Sequence, residues 1–265
     1  MDHSLLRFAL SSPEFLLRYE IIFAVLAVCL SVYYIFQKFI PSCLFGEDAA
    51  YASYIYNAMG VVFSLVFAFI TVQVWQNYNG VNDAVTKEAN NLNNIYRLYS
   101  AFPPETQKVG REYLRDYTQT VIDEEWPLLS KDQFSLNAYA KLLKLEDQII
   151  TFQPKTPGQI NAHQQMLRLL SDAAELRRSR IYNAKFALAA PAWIGLTSSV
   201  FIFLLFSCLF QMKSVRTHVI LIIFLGLTIV GVLYFLIIYI HPFLGPMAIP
   251  PDSFSEVLNL SWKYK

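Results

Sequence analysis

The stretch VILIIFLGLTIVGVLYFLIIYI, Val219–Ile240, carries no aspartate, glutamate, lysine or arginine over 22 positions. An α-helix needs about 20 mostly apolar residues to cross the hydrocarbon core of a bilayer. The stretch is long enough for one membrane span, and it lies inside an uncharged segment of 35 residues, Thr217–Pro251. This run therefore decides the fold class, and the rest of the chain can be compared with it.

Three further segments are free of charged side chains. Ile21–Gln37 is uncharged over 17 residues and Phe186–Met212 over 27. Between Asp48 and Asp83 lie 34 uncharged residues, with the apolar part near 55–76. The sequence therefore predicts an all-α integral membrane protein with four transmembrane helices and a helical extramembrane domain inserted between the second and third. The spans are predicted near 20–38, 55–77, 187–212 and 217–240.

The first span is the shortest and has an alternative interpretation as the core of a signal peptide. Glu14 and Glu20 precede it, where a signal peptide carries positive charge. The residues 40–43, IPSC, resemble a lipoprotein cleavage site only faintly, because Lys38 interrupts the approach and Pro41 lies inside. We therefore favour a membrane span.

Charged residues are concentrated in one part of the chain. Residues 81–185 hold 14 of the 21 lysines and arginines and 13 of the 20 aspartates and glutamates. An ionised side chain at mid-membrane costs at least about 2.5–3.5 kcal/mol, so this segment is expected outside the bilayer. The net charge of +1 gives no electrostatic case for nucleic acid. The predicted organisation is 1–77 with two spans, 78–185 as a cytoplasmic helical domain, 186–241 with two spans, and 242–265 as a tail.

Basic residues around the spans predict the topology. Four spans place both termini and the central domain on one side, and cytoplasmic flanks are rich in lysine and arginine. Lys38, Lys213 and Arg216 lie on the opposite side, the last two in a very short hairpin that opposes the assignment. We expect the termini and the domain in the cytoplasm, below the inner (plasma) membrane of a bacterium. The basic residues on that side are Arg7, Arg18, Lys87, Arg177, Arg178, Arg180, Lys185, Lys263 and Lys265.

The central segment has helical periodicity and clear breaks. Prolines 103 and 104 and the sequence QPKTPG at 153–158 interrupt it. Between them, apolar residues recur every three or four positions, which predicts a small helical bundle. No breaker separates Ala162 from Phe186, so we expect one helix to continue into span three, whereas Asn77, Asn79 and Gly80 could break the exit from span two. The stripes are Val85, Ala89, Leu92, Ile95, Tyr99 and Phe102; Val109, Tyr113, Tyr117 and Val121; Phe134, Ala138, Leu142, Leu145, Ile149 and Phe152; and Ile160, Leu167, Leu170 and Ala174.

No catalytic or nucleotide-binding motif is present. The chain lacks a P-loop, a GxGxxG turn, GxSxG and HExxH. Its four histidines are scattered, its three cysteines form no CxxC pair, and no disulfide framework is indicated. We therefore expect neither a cofactor nor a metal site, and no enzymatic activity.

Two clusters of opposite charge form a candidate latch. Three acids, Asp123, Glu124 and Glu125, precede Trp126 and Pro127. Arg177, Arg178 and Arg180 form a basic cluster before span three. We expect Glu124 or Glu125 to pair with one of these arginines. Alternatively, the acids form a solvated helix end and the arginines face lipid phosphates.

Span two contains the candidate pore-lining residues. Phe63, Phe67, Ile70 and Val74 recur at helical spacing, and Gln73 adds a polar side chain. Hydrophobic constrictions can gate a pore by dewetting, although packing against neighbouring spans explains the stripe equally well. Proton-coupled transporters usually need ionisable groups at mid-membrane. The uncharged runs contain no aspartate, glutamate, lysine or arginine, which leaves a passive pore or a role without transport.

Short motifs follow one another from about Val72 to Phe254 in a specific order. Their order and spacing resemble the bestrophin-like membrane protein family. The motifs are Trp75, Tyr78 and Ala84 with Glu88-Ala89-Asn90-Asn91-Leu92; Pro103, Tyr113 and Tyr117 with Glu125-Trp126-Pro127; Arg177-Arg178 and Arg180 with Pro191 and Trp193; and Pro242-Phe243-x-Gly245 with Phe254.

The resemblance implies a four-span helical fold, a homo-oligomer, and passage of small inorganic ions, since the distantly related true bestrophins are pentameric anion channels. The family's P-F-x-G is usually preceded two residues earlier by an acid, and here that position is Ile240. Animal bestrophins carry an acidic calcium clasp after the last span, whereas this tail offers only Asp252 and Glu256, so we expect no clasp. A passive channel and a membrane-anchored scaffold or signalling module both remain open; an enzyme or active transporter is less favoured.

Overall fold

The computed structural model describes residues 14–39, 49–185, 188, 190–210, 212 and 214–263. These residues form helices and connecting loops, which confirms the predicted all-α class. The helices are α1 (Glu14–Phe39), α2 (Ala49–Leu98), α3 (Pro104–Thr120), α4 (Trp126–Leu129), α5 (Leu136–Ile150), α6 (Pro157–Ala184), α7 (Ala190–Cys208), α8 (Val215–Ile240) and α9 (Asp252–Lys263).

Four helices within the described residues are long and apolar enough to cross a membrane. They are α1, the first half of α2, α7 and α8, so the prediction of an integral membrane protein with four spans is confirmed. Cys43 and Lys213 lie outside the described residues. The described chain divides into a membrane unit, within 1–76, 187–240 and 244–246, and a helical unit, within 77–186, 241–243 and 247–265.

In the membrane unit, α1 packs against both α7 and α8. Small residues allow the close approach, since a Cβ placed on Gly226 of α8 would lie 2.9 Å from a methyl carbon of Leu26. The first half of α2 packs on α7 through aromatic rings, with Tyr56 and Phe63 both stacked on Phe203. A buried cluster joins α1, α7 and α8, and its members are Cys29, Tyr33, Leu204, Cys208 and Ile222.

The helical unit has one continuous apolar core. Helices α2, α3, α5 and α6 supply most of it. Most residues of the predicted stripes are buried or partly buried there, but Val109, Phe134 and Ile160, each the first residue of its stripe, are exposed. The breaks fall near Pro103 and in 152–156. Two side chains cap helix starts in the usual way: Ser135 accepts a hydrogen bond from the N–H of Ala138, and Thr156 accepts one from Gln159. The tail also contributes, with Phe243, Ile249, Phe254 and Val257 buried in the same core.

The chain continues as a helix at one junction between a span and the helical unit and is interrupted at the other. α2 continues as one helix through Asn77, Asn79 and Gly80. The predicted continuous helix into span three is wrong, because α6 ends at Ala184 and α7 begins at Ala190. Pro191 explains the interruption: a proline ring in a helix interior clashes with the carbonyl four residues earlier but fits the first turn of a new helix.

Candidate functional site

The site begins with an acidic residue in an apolar stripe. Glu88 lies on α2 between the core residues Val85 and Leu92, three and four positions away, and so on the same face of the helix. Its side chain is completely buried. A carboxylate in such a position is stable only if it is paired or fully hydrogen-bonded.

A second acid reaches the same interior through an unusual helical turn. Residues Val121–Glu125 form a π-helical segment, in which the N–H of Trp126 donates to the carbonyl of Val121. Such wide turns redirect side chains and are frequent at functional sites. Glu125 is completely buried, whereas the adjacent Glu124 is exposed.

Two arginines of α6 meet these acids. Arg180 is completely buried and donates from Nε to Glu88 Oε2 at 2.8 Å and from Nη2 to Glu88 Oε1 at 3.1 Å. The same Nη2 donates to Glu125 Oε1 at 2.9 Å. Arg177, three residues earlier and on the same face, donates from Nε to Glu125 Oε1 at 3.2 Å and from Nη2 to Glu125 Oε2. Glu125 therefore bridges both arginines.

Neutral groups satisfy the remaining lone pairs. The hydroxyl of Tyr117, from α3, donates to Glu88 Oε1 at 2.9 Å. The backbone N–H of Ser135 donates to Glu125 Oε2 at 3.4 Å, and its carbonyl accepts from Arg177 at 3.3 Å. Two acids and two arginines thus form a neutral cluster inside a helical core, and we call these four residues and Tyr117 the charge cluster.

Aromatic rings cover Arg180. Its guanidinium carbon lies 5.2 Å from the ring centre of Trp126 and 5.4 Å from that of Phe254. Its Nη1 is buried and has no hydrogen-bond partner among the described residues, so attraction to the two ring faces compensates for the missing bond. The indole N–H of Trp126 donates to the carbonyl of Ile249 at 3.0 Å. The tail therefore holds the ring that covers the arginine.

Two members of the charge cluster, Arg180 and Tyr117, have pKa values that are raised in the folded protein. Burial lowers the pKa of the Arg180 guanidinium, but the neighbouring carboxylates of Glu88 and Glu125 outweigh it, and the net direction is upward. Burial and the charge of Glu88 raise the pKa of Tyr117 well above its ordinary value of 10.0, so its hydroxyl remains a donor. Breaking one pair in such a setting typically costs about 3–5 kcal/mol.

The structure brings together only part of the predicted latch. Glu125, Arg177 and Arg180 meet, whereas Arg178 is exposed. Glu124 accepts from the Ser135 hydroxyl at 3.0 Å and from the Asn137 amide at 2.8 Å instead of from an arginine. Sequence reasoning omitted Glu88, Tyr117 and Phe254 from the latch. The position of Glu88 inside an apolar stripe was the available signal.

The five candidate pore residues lie on two faces of α2. Phe67 and Val74 are buried within the chain, and Phe63 stacks on Phe203 with ring centres 5.4 Å apart. Ile70 is half-buried beside this face. Gln73 is exposed and lies about 100° further around the helix than Val74. The buried face borders a groove of about 650 Å³ in the membrane unit, also lined by Thr228 and Phe235.

The contacts of these sites are ion pairs, hydrogen bonds and packed rings. The charge cluster has every carboxylate engaged by a guanidinium. Among the residues that the structure describes, no group of three histidine, cysteine, aspartate or glutamate side chains is placed to hold a metal ion.

Comparison with known proteins agrees with this geometry. The model of the bestrophin-like domain matches residues 23–254. The fold is similar to that of a crystallised bacterial bestrophin homologue from Klebsiella pneumoniae carrying one substitution, with a TM-score of 0.64 at 9% identity, covering 92% of this chain and 99% of that chain. A crystallised membrane protein, also with one substitution, gives a TM-score of 0.67 at 10% identity, with the same coverage. No curated protein matches the chain.

The motifs that carry the family resemblance also meet in space. Glu88, Glu125, Trp126 and Phe254 come from blocks spread over most of the sequence, and each of them contacts the guanidinium of Arg180. With the domain match over residues 23–254 and the shared fold, the chain belongs to the bestrophin-like family.

Proposed function

We propose that the protein is a passive ion channel built from several copies of this chain, with the membrane part of α2 along the axis. Membership of the bestrophin-like family and the shared fold support a channel rather than an enzyme. The uncharged spans support passive conduction, because a pump or proton-coupled transporter usually needs ionisable groups at membrane depth.

The exposure of Gln73 is the observation that carries the proposal. This side chain lies on the open face of α2, which it shares with Val62, Leu65 and Phe69. An amide that faced hydrocarbon would lose its hydrogen bonds to water, which is costly. The same face turned toward a water-filled axis would keep the amide solvated, and its apolar residues would form a constriction that gates by dewetting.

The buried face of α2 has a supporting role in this proposal. Phe63, Phe67, Ile70 and Val74 back the helix against the rest of the chain, so their size sets how far α2 stands from the axis. Substituting them is expected to change conduction through packing, whereas Gln73 is expected to meet the ions.

The proposed location is the inner membrane of a bacterium, with the termini and the helical unit in the cytoplasm. The excess of lysine and arginine on that side supports it. A cysteine introduced at Lys131, which is exposed, gives the test. In intact cells a membrane-impermeant thiol reagent should leave it unlabelled, and efficient labelling would reverse the topology.

For the charge cluster we propose a latch that holds α2, α6 and the tail in one arrangement. Arg180 supports this role because it pairs with Glu88 of α2 and lies against Phe254 of α9. Since a pair that connects helices must be broken for them to separate, the latch would keep the helical unit rigid.

Purified protein in liposomes tests the channel proposal. We expect ion flux driven by a gradient alone, a symmetric oligomer in solution, and a several-fold change of flux for Gln73→Leu. Gln37→Leu, a matched substitution in α1, should leave the flux unchanged. Wild-type protein that assembles but conducts nothing would favour a membrane-anchored scaffold.

A further inference from the structure

One face of α6 near its end combines exposed cations with an exposed aromatic ring. Arg178, Tyr182 and Lys185 follow at spacings of four and three, which places them on the same face. All three are exposed, and Tyr182 exposes 78% of its surface. Within the described part of the chain, none of these side chains makes a hydrogen bond or ion pair, in contrast to the buried Arg177 and Arg180.

The charge of this face changes sign along the helix. Asp172 and Glu175 are exposed on α6 before Arg178, and Lys185 directly follows the last residue of the helix. From Asp172 to Lys185 the helix rises about 20 Å, more than twice the screening length of about 8 Å at physiological salt. Lys87 of α2 borders the same face beside Glu175 and Ser179, so the acids there already have a cation nearby.

The basic end is tied by the chain to a membrane span. Ala190, where α7 begins, lies eight positions after Tyr182, and extended chain covers at most about 28 Å over eight steps. For Lys185 the limit is about 17 Å. Tyrosine is enriched at the membrane–water interface, where its ring meets the acyl boundary and its hydroxyl remains hydrated. Lysine and arginine beside a span attract anionic headgroups.

We infer that Arg178, Tyr182 and Lys185 form a docking face for anionic phospholipid headgroups at the bilayer surface. The two cations contact the lipid phosphates and the tyrosine ring inserts at the interface. The acids precede the cations along α6, so the part of the face that approaches a negative surface is the part with Arg178 and Lys185. A protein partner fits less well, because a stable interface needs about 1,000 Å² with an apolar centre, and the neighbouring exposed positions Gln164, Arg168 and Ser171 are polar.

Lipid binding to full-length protein in mild detergent tests this inference. Native mass spectrometry gives the apparent dissociation constants for short-chain phosphatidylglycerol and phosphatidylcholine. The double substitution Arg178→Gln with Lys185→Gln should weaken phosphatidylglycerol binding about thirty-fold and leave phosphatidylcholine unchanged. Lys131→Gln with Lys144→Gln is the control, since it removes the same charge from exposed positions elsewhere in the helical unit.

Three single substitutions sharpen the test. Glu175→Gln should strengthen phosphatidylglycerol binding about five-fold by removing the nearest acid. Tyr182→Ala should weaken it and Tyr182→Trp should preserve it. All of these positions are exposed, so the fold should tolerate the changes.

Equal loss of affinity in both double variants would overturn the inference, since binding would then follow net charge. Glycerol phosphate that binds as tightly as phosphatidylglycerol would also overturn it, because the face would then bind free anions. These measurements involve no ion flux, so their outcome is independent of the channel proposal.

Discussion

Arg180 Nε lies 2.8 Å from Glu88 Oε2, and both side chains are completely buried although 92 positions separate them in the chain. The pair connects α6 to the same long helix that supplies membrane span two. Arg180 also reaches Glu125, and the aromatic rings of Trp126 and Phe254 cover its guanidinium. Replacing Arg180 leaves Glu88 buried without a cation, and replacing Glu88 leaves two buried arginines that share the single carboxylate of Glu125.

Glu88→Gln should therefore destabilise the helical unit severely. The amide keeps the size of the side chain but loses the charge that opposes Arg180, and such losses cost about 3–5 kcal/mol. Thermal unfolding of the full-length protein in detergent, followed by circular dichroism, measures the effect.

The exposed pair Lys141–Asp116, at 3.1 Å in the same unit, supplies the control. Asp116→Asn should cost less than about 1 kcal/mol, because exposed ion pairs are solvated and contribute little. Similar losses for the two substitutions would mean that the charge cluster does not hold the unit together.

Gly110→Ala should also destabilise the helical unit. A Cβ at Gly110 would lie 2.1 Å from a ring carbon of Tyr99, whose hydroxyl donates to Gln148 at 2.7 Å. Overpacking of this kind costs about 1–3 kcal/mol, more than the gain of about 1 kcal/mol from replacing a helical glycine. Gly80→Ala is the matched substitution, since it has nothing within 4 Å and should be neutral or stabilising. Equal melting temperatures for the two variants would show that the ring of Tyr99 moves aside.

Alkaline pH should weaken the helical unit through its buried tyrosines. Burial raises the pKa of Tyr99, and burial together with Glu88 raises that of Tyr117, above the ordinary value of 10.0. Below pH 10 the contribution of both tyrosines to the free energy of unfolding is fully present. Above pH 10 unfolding releases a proton from each, so stability falls by about 1.4 kcal/mol per pH unit per tyrosine until the folded-state pKa is reached.

Melting curves of wild type and Tyr99→Phe between pH 9 and 11 test this dependence. The stability of the variant should fall less steeply with pH, because the part of the slope that comes from Tyr99 is removed. An identical slope in the two proteins would show that Tyr99 titrates normally in the folded state.

Composition and periodicity were enough to predict the spans and the helical unit. An uncharged run such as Val219–Ile240 leaves the chain few alternatives, because a bilayer excludes ionised groups. The stripes of α2 and α5 likewise predicted the buried face of each helix, since apolar positions recur with the helical period.

The charge cluster was harder to predict because it depends on local geometry and on contacts between distant segments. Glu124 and Glu125 are adjacent residues of the same type, so the sequence does not distinguish them. The π-helical turn at 121–125 turns Glu125 inward. Arg177, Arg178 and Arg180 are likewise distinguished by their faces on α6, which the apolar neighbours Ala173 and Ala184 could have indicated. Phe254 covers Arg180 only because the tail returns to the helical unit, and the spacing of apolar residues does not predict that path.

Accessibility of position 73 in a conducting channel tests the central claim most directly. Gln73→Cys protein is placed in a planar bilayer, and a charged, membrane-impermeant thiol reagent is added during recording. Cys29 and Cys208 are buried, and wild-type protein under the same reagent gives the background. We predict a steady current without a coupled gradient that falls in Gln73→Cys on modification and does not change in wild type. Absence of current, or an unchanged current after complete modification of Cys at position 73, would contradict a pore lined by α2.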